Sequence, residues 1–552
     1  MAAPKSEKLH FTTKLAYGAG DFAPAIAANI LVFYLLFFFT NVAGLSAGLA
    51  GSILMIGRIS DAINDPIIGV LSDRTRSRWG RRLPWILGGI LPFALLYSLQ
   101  WIVPNFSNNV SVNQWALFGY YVLIGILFNI AFTMVNLPYT ALTPELTQDY
   151  NERTSLNSFR FAFSIGGSIL SLILFILISI AYPDDAKTRY FILGLSCSVL
   201  GVIALLWCSL RVQERGSNPI LNSAQKQAIG RVLLGLGIAG IFYAILRMIP
   251  GVSTFVGGVG RFDYLSFFAL LMSLLIFGFG YTLLFANSEN HLTNETAIQN
   301  NNNSKDASSL SFAEQLKIVF NNRPFLFVIG IYLCSWLAVQ LTASILVYFV
   351  VSYMRLGEDK SGFVALGVQG TALVMLFVWQ EVSKKFDKKI VYFLGMGFWI
   401  IAQIGLFLLQ PGQIVLMFAL TILAGFGVSV AYLIPWSMVP DIIELDELET
   451  GKRREGIFYA FMVLLQKFGL AFGLFLVGIA LESAGFIERI PGEPIPVQPE
   501  SALLAIRIAI APLPAVILII GLVLAYFYPI TREVHAEIRL KLQEKYEREE
   551  SN

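Results

Sequence analysis

The stretch Gly57-Arg58-Ile59-Ser60-Asp61-Ala62-Ile63-Asn64-Asp65-Pro66 places three charged and two polar side chains inside an otherwise apolar segment, residues 47–71. A charge at mid-bilayer costs about 2.5–3.5 kcal/mol on insertion scales, so such a cluster needs a reason to be there. On a helix Asp61 and Asp65 are i and i+4 and share a face, with Asn64 beside them and Arg58 one turn earlier. Two carboxylates and an amide oxygen suit a hard cation such as sodium. The same carboxylates, desolvated and close, also suit a proton, because like charges raise each other's affinity for one. A plainer reading has Arg58 and a distant basic residue neutralise both.

The rest of the chain supports a lipid setting. Of 552 residues, 56% are hydrophobic and 14% charged, and the mean hydropathy is +0.68. With the 46 glycines the apolar share is roughly 64%, against about 45–50% in soluble domains counted the same way. Apolar runs of about 20 residues match a helix that crosses a bilayer and not the alternation of a membrane barrel. The reading is an all-α polytopic membrane protein, which excludes a disordered scaffold, a coiled coil and a nucleic-acid binder.

Apolar windows fall near 20–40, 47–71, 85–103, 115–139, 158–182, 190–210, 229–249, 263–286, 325–353, 361–380, 390–410, 413–438, 457–482 and 501–529, about fourteen spans. With a cytoplasmic N-terminus, inside segments hold 27 of the 39 Lys and Arg and outside loops 6, so both termini are expected in the cytoplasm. The expected organisation is a six-helix bundle (1–215), an inserted helical pair (216–286), a flexible Asn/Ser/Thr-rich cytoplasmic linker (287–311), a second six-helix bundle (312–530) and a tail (531–552). Arg231, Arg247 and the Gly-rich Pro250–Gly260 make the inserted pair the weakest part of this plan. In the tail, Val534, Ile538, Leu542 and Tyr546 recur every four residues, predicting a short amphipathic helix near the membrane surface. The first apolar run is too long for a cleavable signal, and none is expected. The cell (inner) membrane is the expected location.

Other polar groups sit where they are costly: Asp21 in span one, Thr133 and Asn136 in span four, Arg160 at the start of span five and Lys467 two turns into span eleven. The three histidines (His10, His291, His535) lie outside every span, and the three cysteines (Cys197, Cys208, Cys334) read as buried thiols. No loop has the His, Cys or metal-ligand spacing of an enzyme, and no cofactor is expected beyond a coupling ion. The loop Ser72–Arg82, with Asp73, Arg74, Arg78 and Arg81, has a counterpart in Asp441–Arg454, with Asp441, Glu444 and Arg453. These charges are expected to pair across two bundles as a conformational gate.

Residues 61–69 (Asp-Ala-Ile-Asn-Asp-Pro-Ile-Ile-Gly), then Ser77-Arg78-Trp79-Gly80-Arg81 and Pro84-Trp85, resemble the glycoside–pentoside–hexuronide:cation symporters, the melibiose-permease relatives within the major facilitator superfamily. Tyr17-Gly18-Ala19-Gly20-Asp21, Gly451-Lys452-Arg453-Arg454-Glu455-Gly456-Ile457 and Lys467-Phe468-Gly469 fit the same family, over about 17–215 and 312–545. The resemblance implies the major facilitator fold and a sodium site at Asp61, Asn64, Asp65 and Thr133, with Asp61 and Asp65 holding the transported ion. It also puts Arg160 and Lys467 near the sugar site. Three departures stand out: the sugar-gripping acid of span one is Ala25, that of span four is Asn136, and the stacking aromatic four residues later is Thr140. Asp21, one turn before Ala25, is a candidate replacement. The expected substrate-binding set is therefore Asp21, Asn136, Thr140, Arg160 and Lys467. The expected function is sodium- or proton-coupled uptake of a small solute, a sugar or glycoside, by alternating access, with a lysolipid or other amphiphile as the alternative. The partners expected are that small-molecule substrate and the lipid bilayer, and no nucleic acid.

Overall fold

A computed structural model describes residues 9–147, 150–214, 217–249, 263–285, 312–451, 454–489 and 496–551. The linker 287–311 and the gate residue Arg453 lie outside the described residues. Every regular element among them is helical. They run α1 (Phe11–Ala19), α2 (Phe22–Asn41), α3 (Ala47–Arg74), α4 (Leu83–Leu99), α5 (Val110–Thr140), α6 (Thr143–Leu146), α7 (Tyr150–Ala181), α8 (Ala186–Arg211), α9 (Ser223–Met248) and α10 (Tyr264–Leu284). Then come α11 (Phe312–Asn321), α12 (Arg323–Tyr348, followed by a π-helical turn, Phe349–Tyr353), α13 (Glu358–Lys385), α14 (Lys388–Leu408), α15 (Ile414–Thr450), α16 (Glu455–Ser483), α17 (Glu500–Ile510), α18 (Pro512–Phe527) and α19 (Arg532–Ser551).

Among the described residues, twelve helical stretches are long and apolar enough to cross a membrane, with α1–α2 counted as one and α17–α18 as another. The apolar α4 has 17 residues, and α3 has 28 but carries Arg58, Asp61 and Asp65. All fourteen apolar windows therefore form helices. Their ends follow the local chemistry: Asn109 accepts from the Val112 amide at 3.2 Å, and Asn222 and Gln225 form a reciprocal capping box. Asp185 caps α8, and the Thr188 hydroxyl and amide hold its carboxyl below the usual range.

The helices form two compact units. The first holds α1–α10 together with Glu358–Phe363, the opening turns of α13, and the described residues of Glu488–Pro496; the second holds the rest.

Within the first unit the inserted pair packs tightly on itself and on its neighbours. Gly230 and Gly280 let α9 and α10 approach closely: a Cβ on Gly230 would stand 3.1 Å from the Gly280 carbonyl oxygen. At one end Arg247, buried, reaches Asp263 (3.4 Å), the N-cap of α10, and the hydroxyls of Tyr182 and Tyr264 bond at 3.2 Å. At the other end Trp207 donates to the Thr282 hydroxyl (2.8 Å), while Arg211 donates to the Thr282 carbonyl (3.0 Å) and to Thr12 (3.1 Å). Arg247, which made the span doubtful in sequence, is thus the hairpin's own clasp.

Also in the first unit, Arg189 and Glu358 form a buried ion pair at 2.7 Å, each side chain 5% exposed. Glu358 takes a further bond from the Tyr190 hydroxyl at 3.2 Å.

In the second unit one hydrophobic cluster runs from Val319 to Leu542 through α12, α14, α15, α16 and α18. Arg507 lies between the rings of Tyr353 and Phe407, 5.2 and 4.7 Å from their centres, and donates to the Phe407 carbonyl near the end of α14. The tail helix α19 forms over the expected repeat. Ile538 and Leu542 are buried in this cluster, and the Tyr546 hydroxyl bonds Glu447 of α15 at 2.5 Å. A four-residue apolar repeat fits a protein groove as well as a lipid surface, and here its middle residues meet protein while Val534 and Tyr546 stay exposed.

Candidate cation and substrate site

Asp61 and Asp65 project from one face of α3 toward α5, as their spacing dictates. The Thr133 hydroxyl, 2% exposed, donates to both, at 3.2 Å to Asp61 Oδ1 and 3.0 Å to Asp65 Oδ1. A hydroxyl carries one proton, so the two bonds share it. The carboxylates and Thr133 therefore present converging oxygens, and Arg58 lies close enough to act electrostatically on Asp61. Asn64 sits on the same stretch and donates to Ser60 at 3.0 Å. Just above, Asn129 of α5 donates to the Gly57 carbonyl at 2.9 Å, which fixes α5 against α3. Such a site suits a small hard cation or a shared proton.

Asn136 and Thr140 follow Thr133 at i+3 and i+7, on the same side of α5, and the Thr140 hydroxyl bonds back to the Leu137 carbonyl at 2.9 Å. Asp21 and Arg160 meet each other: their charged groups lie 3.5 Å apart, joining the break between α1 and α2 to α7. Beside them Tyr17 and Tyr139 stack at 5.1 Å, the Tyr139 hydroxyl donates to the Tyr17 carbonyl (2.6 Å), and the Tyr17 and Thr143 hydroxyls bond at 2.6 Å. Asp21 is thus engaged by a cation of its own unit. Lys467 lies on α16 in the second unit, next to Gln466, whose side-chain oxygen accepts from the Tyr332 hydroxyl at 2.6 Å.

Four of the expected gate charges, Asp73, Arg81, Asp441 and Glu444, pair within their own units. Asp73 meets Arg82, Arg81 meets Glu145 (Nε–Oε1 2.9 Å), and Arg78 covers the Trp79 ring at 4.9 Å, while Arg74 is exposed. In the second unit Asp441 binds Lys388 at 2.6 Å, Glu444 binds His535 at 2.8 Å and Asp446 binds Arg454 at 2.7 Å. Sequence reasoning missed Lys388, His535 and Glu214. Glu214, 3% exposed, accepts the backbone amides of Arg81 (2.8 Å), Arg82 (2.7 Å) and Leu83 (2.8 Å), and so caps α4 from 131 residues away. The one local signal was Gly80, whose φ of +101° and closeness to the Glu214 carboxyl leave no room for a side chain. Glu214→Gln should lower stability by about 1.5–3 kcal/mol, because an amide has one acceptor oxygen where the carboxylate uses two. Thermal unfolding in detergent measures it, and an unchanged midpoint would show that the cap is dispensable.

The model for MFS/sugar transport proteins matches residues 16–232 and 227–532. The chain belongs to the MFS/sugar transport protein family. An uncharacterized symporter of Synechocystis sp. is 64% identical over 98% of this chain and 97% of its own length. A sodium-dependent lysophosphatidylcholine symporter of Danio rerio is 25% identical over 94% and 86%. The solved structure of a D-xylose–proton symporter superposes with a TM-score of 0.53 at 15% identity, over 94% of this chain and 97% of its own. The fold is the major facilitator fold, with the extra pair α9–α10 in its first half. This member of the family is an integral multi-pass membrane transporter and not an enzyme. The resemblance to cation symporters stated from residues 61–69 is borne out by the family match and by relatives named as symporters, among them a putative glycoside/cation symporter of Escherichia coli, 25% identical over 92% of this chain and 90% of its own length.

Proposed function

We propose that the protein is a secondary active symporter that couples sodium entry to the uptake of a sugar or glycoside by alternating access, with both termini cytoplasmic and the chain in the cell membrane. The observation that carries this reading is the Thr133 hydroxyl bridging Asp61 and Asp65. The two carboxylates and the Thr133 hydroxyl converge in a segment where charge is costly, and a cation held between them relieves that cost. The bound ion then raises affinity for the solute near Asn136, Thr140, Asp21, Arg160 and Lys467. A proton is the alternative coupling ion.

The test is thermal stability of the purified protein against sodium at constant ionic strength, for wild type and Asp65→Asn. A ligand that binds only the native state stabilises by about 2.7 kcal/mol at a hundredfold excess over Kd. A sodium-specific rise in wild type that is lost in Asp65→Asn is expected. Equal curves in sodium and potassium would favour the proton, and the pair should then differ across pH instead.

A second substrate reading has its own support. The positions to which the family resemblance assigns sugar-gripping acids are Ala25 and Asn136, and a relative matched over 86% of its length is named for lysophosphatidylcholine. An amphiphile needs fewer polar grips than a sugar. Sodium-dependent stabilisation by a lysolipid and by no sugar of a broad panel would replace the glycoside with an amphiphile.

A further inference from the structure

The tail helix α19 is fastened to α15 by a titratable residue that the transport reading does not use. His535 Nε2 lies 2.8 Å from Glu444 Oε2 and 3.4 Å from Asp441 Oδ1. Asp441 is already held by Lys388, whose ammonium also donates to the Ser437 carbonyl at 2.7 Å. Among the described residues, His535 is the ion-pair partner of Glu444. Formal charges of Lys388, Asp441 and Glu444 sum to −1, so a neutral imidazole leaves the cluster one negative charge in excess and an imidazolium balances it.

We propose that His535 is a proton-operated fastener that holds α19 on α15 when protonated and lets it loosen when neutral. At their ordinary values the other groups around it do not titrate between about pH 6 and 8, and burial raises Asp441 above its ordinary value against the pull of the Lys388 ammonium. They are Asp441 and Glu444 on α15, Lys388 at the start of α14, Asp387 just before it, which accepts the Arg532 amide at 3.0 Å, and Tyr528 after α18. On α19 itself Glu533 accepts from the Thr531 hydroxyl at 2.9 Å. Histidine is the side chain whose charge changes in that interval. Docking favours the charged form, so the attachment strengthens as pH falls and weakens as it rises. Ile538 and Leu542 supply the apolar grip one and two turns further on, and the histidine decides how firmly the helix's first turn is seated. In the orientation expected from the charge distribution, the pH sensed is that of the cytoplasm.

Hydrogen–deuterium exchange of the full chain in lipid nanodiscs, corrected for intrinsic rates, reads this out in residues 536–547. Wild type should show protection at least about threefold greater near pH 6 than near pH 8. His535→Gln should be poorly protected and indifferent to pH, whereas His535→Lys, a permanent cation, should stay protected at both. Wild-type protection that does not change with pH would overturn the proposal. So would a pH dependence that survives in His535→Gln.

Discussion

Asp65→Asn is expected to abolish concentrative uptake while exchange of substrate across the membrane partly persists. Exchange needs only that the loaded carrier reorient, and the amide keeps the shape of the site and can still bond Thr133. Concentration needs the ion's free energy, and the membrane potential alone supplies about 2.3 kcal/mol per charge per 100 mV. At about 1.4 kcal/mol per decade, that is roughly a 50-fold gradient forfeited when the ion no longer binds. Asp61, 5% exposed and bonded to the same hydroxyl, should behave alike. Uptake into vesicles with and without an imposed gradient separates the two activities. Full gradient-driven accumulation by Asp65→Asn would remove this residue from the coupling site.

Arg189→Gln is expected to cost about 3–5 kcal/mol of stability, the largest structural effect foreseen. Both members of the pair are 5% exposed, and the Arg189 guanidinium also reaches the carbonyls of Tyr182 (3.4 Å) and Pro183 (3.3 Å). Removing one partner of a buried pair strands the other charge, and most of the penalty is that stranded charge. Arg189→Gln combined with Glu358→Gln should therefore recover much of the loss. Thermal unfolding of the two single variants and the double variant gives the coupling directly. Additive losses would mean that the pair is hydrated and weak.

What the sequence made legible depended on locality. The fourteen helices could be read because each is a predominantly apolar run, and the Asp61–Asp65 face because four residues make about one helical turn. Thr133 stood out as a polar group in span four, its assignment to the cation site came from the family resemblance, and the fold placed its hydroxyl between both carboxylates. Glu214 stayed hidden because its three bonds go to backbone amides 131 to 133 residues away, and a backbone amide has no sequence signature. The gate charges were grouped by their loops, and the partners that the fold gives them were not foreseen. Asp73 found Arg82 nine residues on, and Asp441 found Lys388 on a neighbouring helix. The tail's periodicity was read correctly as amphipathic, yet a period names a face and not what covers it.

The hairpin α9–α10 sets a limit on how this transporter can be rebuilt. It is sewn to the rest of the first unit at both ends, by Tyr264 on one side and by Thr282 on the other. Excision of the hairpin would leave the Trp207 indole without its Thr282 partner and the Arg211 guanidinium with one bond fewer on a newly bared wall. The hairpin is masonry: its neighbours lean on it, and a shorter architecture is not to be had by subtraction alone.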